Sequence, residues 1–153
     1  MKLTIGGKEY TFTYTVDASL CEECVEKTTG LMMQIGMAQD EKDLRKMVSG
    51  IANVPTTALS MFYAGLLEHH GSGRDGDKSV RSKEDALDLI KQYFAENPDD
   101  ENANFYGLLT MILGQMGDDG FFKTIGLEAM FSQAENAPKP NRAQRRASAK
   151  AKA

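Results

Sequence analysis

Apolar and polar residues alternate through the first sixteen positions. Leu3 and Ile5 alternate with Thr4, then Tyr10, Phe12, Tyr14 and Val16 with Thr11, Thr13 and Thr15. A period of two in aromatic and β-branched residues predicts strands. Gly6-Gly7, extended by Lys8 and Glu9, supplies the positive-φ positions of a tight reversal, so residues 2–16 read as a hairpin. One face is aromatic and the other mostly threonine. A lone hairpin is marginal in water, so its aromatic face must rest on another element.

The pattern then becomes helical. Asp17 is placed to cap a helix over 18–36, with Leu20, Cys24, Leu31 and Ile35 near one stripe and Glu22, Glu23 and Glu26 in the opening turns. Gly30 weakens its middle. Asp40 opens a second helix through Leu44, Met47, Val48 and Ile51 that stops near Asn53. Pro55 suits the first turn of a third, along which Leu59, Phe62, Tyr63, Leu66, Leu67 and His70 lead to a stop at Gly71. The segment GSGRDGDKS, 71–79, has three glycines and reads as a flexible loop joining two helical halves. Ser82 caps a fourth helix that buries Ala86, Leu87, Ile90, Tyr93 and Phe94 and breaks at Asn97-Pro98. A fifth follows Asp99, Asp100 and Glu101 and runs to Met116 through Phe105, Leu108, Leu109, Ile112 and Leu113. Residues 121–134 predict a short sixth helix through Phe122, Ile125, Met130 and Phe131, weakened by Gly126. The expected fold is α+β, mostly α. An N-terminal β-hairpin packs on a body of about five or six helices over residues 1–136, and 137–153 form a flexible basic tail.

With 153 residues, 41% of them hydrophobic, the chain suffices for one real core. No run approaches the roughly 18 apolar residues of a spanning helix, and the opening alternation is unlike a signal peptide, so a soluble intracellular protein is expected. Charge divides the chain in two. Of 18 Lys and Arg against 22 Asp and Glu, six bases fall in 137–153, where there is no acid, leaving 12 bases against 22 acids in the body. Such a body repels phosphates, and only the tail suits nucleic acid.

Candidate chemistry is sparse. Cys21 and Cys24 sit three apart, a spacing that places two sulfurs on one side of a helix, but the only histidines are the adjacent pair His69 and His70. That arrangement fits no compact zinc finger, and Glu22 and Glu23 disfavour the thiolate of a redox pair, so the cysteines read as small apolar side chains. No hydrolase triad, phosphate loop or complete calcium loop is legible, and Asp99, Asp100 and Glu101 are explained by a helix start. Neither an enzyme nor a cofactor nor a metal is expected. Nine methionines are a high share; Met32, Met33 and Met37 cluster near the end of the first helix, and flexible thioethers suit surfaces that accept varied apolar partners. Tyr106, Met111 and Phe121 fall off the main stripes and extend the candidate partner-binding set. Arg142, Arg145 and Arg146 are the candidate contacts of the tail; without interleaved aromatics they suit an acidic protein surface or unspecific nucleic acid binding, not specific recognition.

The opening MKLTIGGKEYTFTY, the capped helix after Asp17, the helical body and the end Asn-Arg-Ala-Gln-Arg-Arg-Ala at 141–147 together resemble the tail assembly chaperones of long-tailed bacteriophages, particularly those of Gram-positive hosts. The resemblance is one of layout over essentially the whole chain. It implies a non-enzymatic protein of the host cytoplasm, made early in tail assembly and not retained in the mature virion. Its partners would be the tape measure protein, kept soluble, and the tail tube protein that polymerises around it, with self-association and a longer frameshifted form of the chain. No membrane partner is implied. The contrasting expectation is a small intracellular adaptor that binds nucleic acid without specificity through the basic tail.

Overall fold

Residues 1–37 and 44–130 are described by the computed structural model, apart from the side chains of 35–37 and 44–51. The expected cap at Asp40, the stripe from Leu44 to Ile51, the end of the sixth helix and the basic tail lie outside the described residues or side chains. The fold is α+β and mostly helical. Strands β1 (Lys2–Ile5) and β2 (Lys8–Thr11) precede helices α1 (Val16–Ser19), α2 (Glu22–Met37), α3 (Leu44–His70), α4 (Lys83–Glu96), α5 (Phe105–Asp118) and α6 (Phe121–Thr124). A further helical turn occupies 127–130.

The hairpin turns where the glycines allow it. Gly6 and Gly7 adopt φ of 59° and 75°, and the ladder pairs Ile5 with Lys8 and Lys2 with Thr11. Two successive positive φ values make the reversal whose twist matches the strands it joins. The turn is held on the end of α4, where the Glu96 carboxylate accepts the Gly6 N–H at 2.9 and 3.1 Å.

The alternation through Val16 overstates the second strand, because the ladder ends at Thr11 and residues 12–15 become an extended strap along α3. Phe12 and Tyr14 are fully buried, with the Phe12 ring 4.7 Å from that of Phe62. The Thr13 N–H donates to the Gly65 carbonyl at 3.0 Å, the Tyr14 hydroxyl to the Met61 carbonyl at 3.0 Å, and the Thr13 and Thr15 hydroxyls to Glu68. Those hydroxyls, Thr15 foremost, hold the Glu68 carboxyl below its usual range. Period two persists because the strap is extended: Phe12 still exchanges backbone hydrogen bonds with Met1, and beyond it the Thr13 N–H turns to the Gly65 carbonyl of α3 and the Tyr14 N–H to the Asp119 carboxylate.

Three helix boundaries differ from expectation. The first predicted helix is two: α1 begins at Val16, so Asp17 lies in its first turn, and α2 starts afresh when Cys21 accepts the Val25 N–H. The second and third are one, since α3 passes through Pro55. Proline removes one N–H and crowds the preceding turn, but α3 packs on α1, α2, α4 and α5 and continues through it. The sixth is interrupted at Gly126, with φ of 77°. By contrast α4 and α5 start as side-chain caps require: Ser82 accepts the Asp85 N–H and Asn104 the Gly107 N–H.

Helix α3 is the axis of the molecule, touching α1, α2, α4, α5 and β2. Its face carries Ala58, Met61, Phe62 and Leu66, against which α5 places Leu108, Ile112 and Met116 and α4 places Ala86 and Ile90. Gly65 sits where the strap presses closest. A Cβ there would fall 2.6 Å from the Tyr14 ring and hydroxyl, and Tyr14 is walled in on all sides. Gly65→Ala is therefore expected to lower the unfolding free energy by about 1–3 kcal/mol, the range for overpacking, despite alanine's better helix propensity. Urea denaturation of the two proteins measures it.

Candidate functional site

The methionine and aromatic positions singled out by the sequence fare unequally. On α2, Met33 is exposed and Met32 half-buried; Met37 lies in the last turn, with its side chain outside the described set. On α5, Tyr106 is the second residue and stands 73% exposed, while Met111 is half-buried against the core. Phe121 is a correction. It is fully buried under the strap, its ring 6.1 Å from that of Tyr14, because α6 folds back beneath α1 and α5. It belongs to the core and offers nothing to a partner. Arg142, Arg145 and Arg146 lie outside the described residues.

Other exposed apolar side chains escaped the sequence reading. Val16 and Leu20 are 60% and 76% exposed, and Met130 is exposed as well. Val16 looked like the last inward strand residue and Leu20 like the first inward residue of a long helix. With α1 starting at Val16, the two fall four apart on one helical face, turned outward. The available signal was the pair of apolar residues flanking Asp17 at helical spacing, hidden by the longer alternation before it.

The polar groups most like a chemical site join β2, the end of α3 and the 71–79 loop. His70 is buried; its Nε2 accepts the Thr11 N–H at 3.0 Å, so the proton resides on Nδ1, which donates to Asp77 Oδ2 at 3.0 Å. The Tyr10 ring lies 5.0 Å from the imidazole, and the Lys8 ammonium both reaches Asp77 at 2.9 Å and sits over that ring. An imidazole oriented by a carboxylate is half of a general-base constellation. Here the basic nitrogen is already occupied by a backbone donor, so the pair fastens the hairpin and leaves no lone pair for a substrate.

The same contacts correct the expectation of a flexible loop. Asp77 and Val80 donate their N–H groups to the His69 and His70 carbonyls at 2.9 Å, and Gly76 packs so closely on Gly71 that a Cβ would meet its carbonyl at 2.1 Å. Hydrogen bonds from Ser79 and then from Lys8 hold the Asp77 carboxyl well below the usual carboxylate range. A depressed folded-state pKa contributes stability that is complete above the unfolded value of about 3.9 and is lost as pH falls through the folded one. Asp77→Asn should therefore destabilise the protein at pH 7, with the difference from the parent shrinking as pH falls below about 4. Chemical denaturation at the two pH values checks this; a difference independent of pH contradicts the assignment.

The cysteines are also placed by packing. Cys24 is buried in the first turn of α2 beside Thr28, and burial, reinforced by neighbouring Cys21, pushes its thiol up to about 12. Cys21 is half-exposed at the α1–α2 junction. Among the described residues no three His, Cys, Asp or Glu side chains converge as metal ligands. Iodoacetamide at pH 8 is expected to alkylate Cys21 in the native protein and Cys24 only after unfolding, read by peptide mass spectrometry. Equal labelling of both would contradict the burial. No family model matches this chain, and no curated protein or solved structure is significantly similar to it.

Proposed function

We propose that this chain is a bacteriophage tail assembly chaperone that binds and solubilises the tape measure protein and promotes polymerisation of the tail tube around it. The observation that carries the reading is a set of outward apolar side chains, Tyr106, Met33, Val16 and Leu20, on a folded body rich in acid. A long helical client presents apolar stripes, which such side chains cover, while the net negative charge of the body disperses the complex. The layout that resembles these chaperones, hairpin first and helical body after, supports the same reading. On this proposal the protein is not an enzyme, takes no cofactor and acts in the host cytoplasm without entering the virion. The described helices include none long and apolar enough to cross a membrane.

Co-expression with the tape measure protein of the same phage tests the proposal. The client should stay in the soluble fraction and co-purify after nuclease treatment. Tyr106→Ala combined with Met33→Ala should reduce the recovered client several-fold while the melting temperature changes by no more than a few degrees, since both side chains are exposed. A client that precipitates equally with and without the chain would defeat the reading. Recovery of nuclease-sensitive RNA or DNA alone would move the function to the basic segment 137–153.

A further inference from the structure

A cleft runs between α2 and α3 and is floored by Leu109 of α5. Its volume is about 190 Å³, and Leu31 and Val54 form its apolar walls. That is small for a cofactor, whose sites run from about 300 Å³ upward, but suited to side chains of a peptide laid across it. Gly30 lines the cleft and faces open space, since a Cβ there would meet none of the described atoms within 4 Å. At Glu26 it continues into a shallow shelf lined by Glu22, Glu23 and Glu26, with Lys27 the one cation among the described lining residues.

The shelf has charge to spare. Glu23 is committed to Lys83 and to the Ser60 hydroxyl, an arrangement that brings the first turn of α4, with Glu84, alongside α2. Glu22 and Glu26, one helical turn apart, have no ion-pair partner among the described residues, and like charges at this spacing repel. A polycation relieves that repulsion. The chain itself carries one: residues 137–153 hold six Lys and Arg and no acid. Their side chains between the cations are small, as at Ala143 and Ala147 beside Arg142, Arg145 and Arg146, which a narrow cleft admits. Reach is ample, because the 23 residues after Met130 extend up to about 75 Å.

We propose that the basic segment 137–153 docks in its own chain across the α2–α3 cleft, its cations on Glu22, Glu26 and Glu84 and its small apolar residues over Leu31, Val54 and Leu109. The arm then covers an apolar cleft until salt or an acidic competitor displaces it. This does not rest on the chaperone reading, and the experiment needs no client.

Zero-length carbodiimide coupling of the full chain, in a mixture of light and isotopically heavy protein, joins amines to carboxylates already in contact. At low salt, Lys139, Lys150 or Lys152 should link to Glu22, Glu26 or Glu84 within one chain. Those links should fall at least about five-fold at 0.5 M salt, where screening acts over roughly 4 Å. They should fall likewise in Gly30→Leu, whose side chain enters the open cleft. The far-UV circular dichroism of that variant should match the parent. Links spread equally over Asp88, Asp99, Asp100 and Glu101, links unaffected by Gly30→Leu, or no links at all would each overturn the proposal. Links only between light and heavy chains would also overturn it and assign the cleft to a second copy.

Discussion

The joint between the N-terminal segment and the helical body is the seat of Tyr14 on α3. The ring is fully buried, its hydroxyl donates to the Met61 carbonyl, and its N–H donates to Asp119 Oδ2 at 2.8 Å. Asp119 in turn accepts from Gln115, so one residue, through its hydroxyl and its backbone N–H, ties the strap, the middle of α3 and the end of α5 together. Burial raises the Tyr14 hydroxyl well above its usual value, with the nearby Cys24 and Asp119 adding to the effect, which keeps it a neutral donor. The seat exists only because Gly65 has no side chain. A two-stranded hairpin that cannot persist alone thereby becomes part of the core.

Fastening of this kind decides where function can lie. The hairpin is pinned at its tip by Glu96, along its second strand by His70 and beyond it by Gly65 and Glu68, so its aromatic face is spent on packing. The same holds for the histidine, whose two nitrogens are both engaged, and for the buried cysteine. Among the described residues the large apolar side chains that remain outward on these helices are Val16 and Leu20 on α1 and its end, Met33 on α2 and Tyr106 on α5, set on an acidic body. Outward apolar side chains of this kind are the surface on which the proposed client binding rests.

Much of the fold was legible in the chain. Caps at Ser82 and the strongly periodic runs of α4 and α5 agree with the sequence because local signals and tertiary packing point the same way there. Pro55 misled because a proline, lacking one helical N–H, reads as a boundary, whereas here α3 runs on through it. Residues 12–16 misled because an extended strap on a helix has the same side-chain period as a strand, and this displaced the start of α1 and concealed Val16 and Leu20 as outward residues. Of the candidate contact residues, Met33 was legible as one of a cluster of methionines and Tyr106 as an apolar position off the buried stripe. Phe121 was not, since only the return of α6 beneath the strap decides its burial.

Amide hydrogen exchange at Thr13 and Tyr14, whose N–H groups donate to the Gly65 carbonyl and the Asp119 carboxylate, tests most directly whether the strap belongs to the core. If the strap is part of the core, both exchange only when the whole domain unfolds, with the same free energy as the interior amides of α3 near Phe62. Exchange at the pace of the exposed hairpin turn, while α3 stays protected, would mean that the strap lifts freely and that the fold does not depend on it.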